Sequence, residues 1–491
     1  MGYIKTYFPG IFNITGTVYD TTMQKFLVTV VVIAALVRLA MFGAIHLTQG
    51  SDGIFLSDSW GFYQTGLNIV RGNGFSQDPT PPFEPGARFP PLYPGLIALS
   101  VALSNSVIPL VLFQIILSSL APVVVWKIGR HVTEKENILQ AATLLTAFEP
   151  LSMFLSIVIL TDVVAVFLTL LGILYLLRYL DRSDFGSASL AALFMGLSAL
   201  TRPEGYYITL LIATTLTVVA VARLRQDGIR GLITVAAFVG IFFAIISPWL
   251  IRNYVQFGTV SIATTGVRNV YSSLATSVVS LKTGDPVHVA KEKMYRELSE
   301  KYGIDTDEIS TNPEHGPLLV REGLRILSEN PKETLGVLGI AANSFFTQDL
   351  YTTYLLQYKV IPQFSIDFSP SVILLKEGPA ALTRIVWERM GALAAIPLFG
   401  RLFWITLTSL LIAGIIFAAQ ETGRARLAAL TIAGFILIYA AGSLVGGFSD
   451  YGRHRYRVDA LIFILAAYGG GHIVEKIAAN RRLSGSLPSK V

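Results

Sequence analysis

The residues of this sequence best suited to chemistry are acids at the ends of long apolar runs. Asp58 comes shortly after the first such run, and Asp162 follows Thr161 at the start of another. A carboxylate at a membrane surface could act as a general base or a metal ligand. Two of them could share a proton, a metal or an acceptor hydroxyl. Both are also favoured helix N-caps, so a capping role is the alternative.

Arginines form a second group of candidates. Arg88 stands in the run ARFPPLYP, whose prolines restrict the local backbone. Arg453, Arg455 and Arg457 open the last apolar run, on a side where few cations are expected. Because guanidinium groups match phosphate oxygens bidentately, these residues predict a phosphate site. Contact with lipid head groups is the alternative for all four.

The remaining candidates are predicted to line an acceptor or sugar pocket near Asp58. They are Trp60, Tyr63, Tyr93, Glu149, Arg202 and Glu204. Aromatic neighbours could make a half-dry pocket around the Asp58 carboxylate. Arg202 and Glu204 flank a tight turn, and a simple ion pair between them is the alternative.

The composition defines the class of protein that must position these groups. The chain has 491 residues, of which 53% are hydrophobic and 14% charged, whereas soluble proteins have about 25% charged residues. Several runs reach the roughly 20 apolar residues that cross a bilayer. We therefore expect an all-α polytopic membrane protein.

Charge and motif content exclude several functions. The net charge of +6 indicates topology and contact with membrane lipids rather than nucleic-acid binding. The absence of cysteine excludes disulfides, thiolate nucleophiles and cysteine-ligated metals. No Walker loop, complete G-x-G-x-x-G or H-E-x-x-H motif occurs.

Hydropathy predicts about ten membrane spans. They lie at 26–46, 107–129, 137–157, 163–180, 187–201, 205–223, 231–251, 403–419, 427–447 and 458–475. The segment 91–103 is too short to span and is expected to lie in the outer interface. With this count, the basic loops fall on one side, which the positive-inside rule makes cytoplasmic.

Four regions follow from this topology. Residues 1–251 form an N-terminal membrane catalytic module with an outer loop at 47–106, and 252–402 form an extracytoplasmic region of mixed structure. Residues 403–479 hold the C-terminal membrane helices, and 480–491 form a cytoplasmic tail. The expected location is the plasma (inner) membrane of a prokaryote, with both termini in the cytoplasm and the active site outside.

Several of these motifs occur together in a known family. They are Asp58 after the first span, Arg88 before a Pro-Pro-x-Tyr, the Thr161–Asp162 pair, the Arg-Pro-Glu turn at 202–204 and the Arg-Tyr-Arg that opens the last span. In this combination, the chain resembles the GT-C superfamily of polytopic glycosyltransferases. It is most similar to the bacterial branch around protein O-mannosyltransferases and the lipid A aminoarabinose transferase. The resemblance covers about 24–260, resumes at the last span, and is poor over 260–400.

The resemblance implies a GT-C-like helix bundle and a cell-envelope transferase. Its donor would be a sugar on a polyprenyl phosphate, and its acceptor a glycan, lipid or protein. Asp58 would be the catalytic base and Asp162 a second active-site acid. Arg88 and the 453–457 arginines would face the donor phosphate. Some members bind a divalent metal at the paired acids and others do not, so Mg²⁺ or Mn²⁺ at Asp58 and Asp162 is left open.

Two other functions remain as alternatives at this stage. A lipid or polysaccharide transporter (a flippase) could bind phosphate at the outer arginines without chemistry, although the lack of an internal repeat disfavours it. A receptor or assembly scaffold has only the large outer region in its favour. A nucleotide-sugar donor would be hard to supply outside the cell, so a transferase facing outwards would use a lipid-linked donor.

Overall fold

The computed structural model of the protein describes residues 21–222, 228–362 and 370–485. Every regular element in these ranges is helical. Long apolar stretches fold as helices because the intrahelical hydrogen-bond ladder satisfies the backbone where water is absent. The predicted all-α polytopic fold is therefore confirmed.

The N-terminal part consists of α-helices and one 3₁₀ turn, Gly50–Ile54. The α-helices are α1 (Thr21–Gln49), α2 (Ser57–Val70), α3 (Leu92–Ser104), α4 (Ile108–Gly129), α5 (Glu136–Phe148), α6 (Pro150–Ser156), α7 (Asp162–Arg182), α8 (Phe185–Ala199), α9 (Glu204–Ala222) and α10 (Arg230–Phe257). Helix α3 corresponds to the short helix predicted at 91–103. At 13 residues it is too short to cross a bilayer.

The region at 252–402 was expected to be mixed, but its described residues form helices and turns only. The helices are α11 (Thr265–Asn269), a π-helical turn (Val270–Ala275), α12 (Thr276–Thr283), α13 (Val287–Tyr302), α14 (Thr306–Thr311), α15 (Gly316–Glu329), α16 (Pro331–Thr347), α17 (Tyr351–Gln357), α18 (Pro370–Lys376) and α19 (Pro379–Met390). Helical spacing of apolar residues explains this, since Met294 and Leu298 of α13 are both buried.

The C-terminal part returns to long apolar helices. They are α20 (Ala395–Gln420), α21 (Gly423–Ser443) and α22 (Tyr451–Gly485), with a 3₁₀ turn at Leu444–Gly446. Helix α22 continues into the predicted tail, whose last residues, 486–491, lie outside the described ranges.

The number of membrane spans is smaller than expected. In the described ranges, 7 helices are long and apolar enough to cross a membrane, or 8 if the bent pair α5–α6 is one span. The predicted ten spans are thus not confirmed. Helix α8 has only 15 residues, a length of about 22 Å against a hydrocarbon core of about 30 Å. The span expected at 205–223 ends at residue 223, which belongs to the segment 223–227 that the structure does not describe.

Helix α22 is packed closely against α20. Gly414 of α20 and Gly469 of α22 face each other, and a Cβ added to either would overlap the backbone of the opposite helix. Small residues allow membrane helices to approach in this way. This close approach holds α20 against α22, the helix that carries the three arginines at its start.

The two ends of the bundle hold different sets of polar contacts. Helix α7 has 21 residues and is about 31 Å long. At its last turn, His131 contacts Asp181 at 2.6 Å, and nearby loops are joined by Lys135 and Glu475 at 2.6 Å. Its first residue, Asp162, lies at the opposite end, where the candidate site is.

Candidate active site

Asp162, the first residue of α7, is at the centre of a cluster of arginines. Its side chain is fully buried. Its Oδ1 accepts a hydrogen bond from Arg457 at 3.1 Å, and its Oδ2 accepts from Arg453 at 3.3 Å and from Arg202 at 3.4 Å. The expected capping role is not seen, because Thr161 caps without its side chain and its hydroxyl accepts from Arg202 at 3.0 Å.

Asp58 lies in the first turn of α2 and shares Arg453 with Asp162. Its Oδ2 accepts a hydrogen bond from the Arg453 Nη1 at 2.9 Å. The helix is capped instead by Ser59, whose hydroxyl accepts from the Leu56 backbone at 2.9 Å. Unlike Asp162, the Asp58 side chain is 39% exposed, so its carboxylate is accessible.

A cavity of about 570 Å³ opens next to Asp58. The acidic, basic and imidazole side chains that line it are those of Asp58, Arg88, Arg202, Glu204, Arg453 and His454. The walls come from the region at 47–106, the turn before α9, helices α9 and α21, and the start of α22, together with Gly266, Asn269, Val270 and Val320. The volume is typical of a small-molecule site.

The Arg202–Glu204 turn contributes both of its charges to this wall. Arg202 pairs with Glu204 at 3.3 Å and with Asp162 at 3.4 Å. Burial opposes the charge on Arg202, but Glu204 and Asp162 outweigh that effect and raise its pKa. The simple pairing considered from the sequence is therefore present, and the turn also joins the Asp162 cluster.

The three arginines at the start of α22 do not share one role. Arg453 lines the cavity, and Arg457 is buried against Asp162 at 3.1 Å. Arg455 points elsewhere: it pairs with Asp459 at 2.9 Å, and its guanidinium stacks 3.3 Å from the ring centroid of Trp404. Because residues two apart on a helix point in nearly opposite directions, Arg455 is not on the cavity wall.

Two of the predicted pocket residues lie in the protein core, where their polar atoms form hydrogen bonds with other residues. Tyr93 is fully buried and donates a hydrogen bond to Gln114 at 2.7 Å. Glu149 caps α6 by accepting from the Ser152 backbone at 2.7 Å, and it accepts from the Tyr351 hydroxyl at 3.2 Å. Neither residue lines the cavity.

The other two predicted aromatic residues form a separate stack. Trp60 stacks on Phe55 with ring centroids 4.3 Å apart, and Tyr63 meets the same ring edge-on at 5.2 Å. This stack is not part of the cavity lining. Phe62 and Phe89 are the aromatic neighbours of Asp58 and Arg88 in sequence that do line it.

Several lining residues were not predicted from the sequence. Tyr207 of α9, Asn269, Tyr439 and Gly442 of α21 and His454 all line the cavity. Tyr439 and Gly442 are embedded in an apolar run, and Asn269 belongs to the stretch where no family motif was found. Of these residues, His454 is the one that the sequence could have indicated, because it lies within the arginine cluster at 453–457.

The paired acids do not fit a divalent metal. The Arg453 guanidinium already lies between them, with its Nη1 on Asp58 and its Nη2 on Asp162. Asp162 carries two further arginines. Within the part of the chain that the structure describes, no group of three or more acids or histidines is placed to hold a metal ion.

Acids and arginines that converge on a cavity at one end of a polytopic helix bundle define a candidate membrane transferase site. Residues 88–251 match the family described as dolichyl-phosphate-mannose-protein mannosyltransferase. Over these residues the resemblance to GT-C-type glycosyltransferases is thereby confirmed, and the match supports a membrane glycosyltransferase of the mannosyltransferase type. No curated protein matches the chain.

The family match covers about a third of the chain. It includes Arg88, Asp162 and Arg202, whereas Asp58 and Arg453 lie outside it. The roles of these last two residues therefore have to be argued from their geometry.

Proposed function

We propose that the protein transfers a sugar from a polyprenyl-phosphate donor to an acceptor hydroxyl at the outer face of the membrane, with inversion at the anomeric carbon. The observation that carries this proposal is the position of Asp58, Arg88 and Arg453 on the wall of one cavity. The accessible Asp58 carboxylate provides a base for the acceptor, while its partner Arg453 and Arg88 on the same cavity wall provide cations for a leaving phosphate.

The donor phosphate binds at the arginine side of the cavity. Arg453 has five N–H donors, and its hydrogen bonds to Asp58 and Asp162 use one hydrogen on each of its three nitrogens. One hydrogen on each terminal nitrogen is left for phosphate oxygens. Arg88 lines the same cavity with its guanidinium 5.1 Å from the Phe89 ring centroid. Arginines suit phosphate because their planar fork matches two oxygens.

The acceptor hydroxyl is deprotonated by Asp58. Its Oδ2 is held by Arg453, while Oδ1 makes no hydrogen bond within the described ranges. As Oδ1 takes the proton, the hydroxyl oxygen attacks the anomeric carbon from the face opposite the phosphate. The bond from that carbon to the phosphate oxygen breaks, and polyprenyl phosphate leaves with the electron pair. Arg88 and Arg453 stabilise the negative charge that develops on it.

The prenyl chain lies between α9 and α21. Both helices contribute to the cavity wall, through Tyr207 and Ile208 of α9 and through Ile438 and Gly442 of α21. Tyr207 and Ile438 are also partly exposed on the outer surface of the bundle. A lipid tail could therefore leave the cavity sideways into the membrane while its phosphate stays at the arginines.

The acceptor approaches from the side formed by the region at 252–402. Gly266, Asn269 and Val320 of this region lie on the cavity wall. The acceptor is a glycan, a lipid or a protein of the cell envelope, and the expected location of the protein is a prokaryotic plasma membrane.

The proposal is tested by Asp58→Asn in purified protein supplied with polyprenyl-phosphate mannose and an envelope extract as acceptor. We expect transfer to fall at least about a hundredfold, as for the loss of a general base. Asp52→Asn is the matched control, since Asp52 is an exposed acid six positions earlier that does not line the cavity. Full activity of Asp58→Asn would rule out the proposed base.

A further inference from the structure

A single side chain holds the two site acids together. The Arg453 Nη1 contacts Asp58 at 2.9 Å, and its Nη2 and Nε contact Asp162 at 3.3 and 3.4 Å. Arg453 comes from α22, and the acids come from α2 and α7. The guanidinium thus lies where two carboxylates from different helices converge.

Two converging carboxylates repel each other unless a cation lies between them. A divalent metal would satisfy them with oxygen ligands at about 2.0–2.1 Å, as Mg²⁺ requires. Asp162, however, already accepts from Arg202 and Arg457 in addition to Arg453. Placing a dication beside these three guanidinium groups would be electrostatically unfavourable.

We propose that the Arg453 guanidinium takes the place of a bridging divalent metal between Asp58 and Asp162. Transfer by this protein then needs no metal ion, and removal of the Arg453 side chain leaves a pair of acids that binds one. The inference rests on the proposed function only where sugar transfer is measured. The expected metal binding depends on the geometry of the two acids alone.

The guanidinium can perform both tasks that a bridging metal would have. It neutralises the two acids with one set of N–H groups, and its remaining N–H groups are available to the donor phosphate. A guanidinium remains protonated at all physiological pH values. The charge at this point is therefore a permanent part of the chain and does not depend on metal supply.

The first test measures Mn²⁺ binding by electron paramagnetic resonance on wild-type protein and on Arg453→Ala. We expect no binding above the detergent background for the wild type and one bound Mn²⁺ for Arg453→Ala, with an affinity at least about tenfold (roughly 1.4 kcal/mol) above the weakest that the measurement detects. Arg453→Ala combined with Asp58→Asn should lose that site. Arg453→Lys, which keeps a cation, should resemble the wild type.

The second test measures sugar transfer after treatment with EDTA. Wild-type transfer should be unchanged, and Mn²⁺ should restore part of the activity lost in Arg453→Ala. If Arg453→Ala does not fold, Arg453→Gln replaces it, because its side chain is also uncharged and fills more of the space.

The proposal is overturned if EDTA inactivates the wild type and Mg²⁺ or Mn²⁺ restores it. It is equally overturned if Mn²⁺ binds the wild type as tightly as Arg453→Ala (or Arg453→Gln where that replaces it), or binds neither. If no transfer from a polyprenyl-phosphate sugar is seen for any form, the proposed function fails, while the Mn²⁺ titration still decides the present inference.

Discussion

At the scale of single residues, Asp58 and Asp162 show how burial separates the roles of two identical side chains. Asp58 is 39% exposed, whereas Asp162 is fully buried among three arginines. A carboxylate that is surrounded by guanidinium groups has no room to accept a substrate proton. We therefore regard Asp58 as the reactive group and Asp162 as the group that positions Arg453.

This difference predicts that replacing Asp162 costs more stability than replacing Asp58. Asp162→Asn leaves the buried Arg457 and the partly buried Arg202 and Arg453 undercompensated, and we expect the free energy of unfolding to fall by about 3–5 kcal/mol. Asp58→Asn breaks one partly exposed ion pair, so we expect a loss of at most about 1 kcal/mol. Thermal unfolding of both variants in detergent checks this. Equal losses would contradict the assignment of separate roles.

The sequence predicted part of this site and not the rest. Asp58, Arg88, Asp162 and Arg453 were recognised because charged groups at membrane level are costly and therefore informative. Arg455 was grouped with its neighbours, whereas the structure places it against Asp459 and Trp404, and helical periodicity alone separates it from Arg453. Asn269 could not be predicted, because its approach to the site depends on tertiary packing.

At the scale of elements, the cleft between α9 and α21 is the feature with the clearest consequence for the donor. Gly442 of α21 lines the cavity, and a Cβ added there would meet no atom within 4 Å. A larger side chain at this position would therefore be tolerated by the fold and would enter the space assigned to the lipid.

We accordingly expect Gly442→Leu to raise the KM for a long-chain polyprenyl-phosphate sugar by about tenfold, or roughly 1.4 kcal/mol. The KM for a short-chain analogue should change little, since a short tail does not reach the cleft. Gly434→Leu is the control on the same helix, because Gly434 also has open space around its Cβ but lies outside the cavity. Equal effects on long and short donors would argue against the cleft.

Hydropathy predicted the helices better than the number of spans. The long apolar runs at α4, α7 and α22 appear close to the expected positions. Helix α8 shows the limit of the method: its residues are apolar, but the chain turns at Leu200 after 15 helical residues. Hydropathy measures composition, whereas the length of a helix is set by its caps and its partners.

At the scale of the whole molecule, the polar contacts are sorted to the two ends of the helix bundle. The predicted outer loops meet at the Asp58–Asp162–Arg453 cluster. The predicted inner loops meet at His131–Asp181 and Lys135–Glu475. These contacts join some of the loops that their charges place on one side, while the full loop grouping and the end that faces the cytoplasm stay predictions.

The orientation can be tested directly because the chain contains no cysteine. Glu292→Cys on the exposed part of α13 should react with a membrane-impermeant maleimide in intact cells. Glu134→Cys, in the exposed loop between α4 and α5, should react only after lysis. Both positions are solvent-exposed charged residues, so each serves as the accessibility control for the other. The reverse pattern would place the site in the cytoplasm.

The long sequence separation within the Asp162 cluster has a consequence for biosynthesis. Arg202 follows Asp162 by 40 positions, but Arg453 follows it by 291. At about 5–20 residues per second, the ribosome needs roughly 15–60 s to make the chain between Asp162 and Arg453. Arg202 is then the first counter-ion available to this acid as the nascent chain is inserted. A chain that stalls before α22 would hold this carboxylate without Arg453 and Arg457, with Arg202 as its counter-ion.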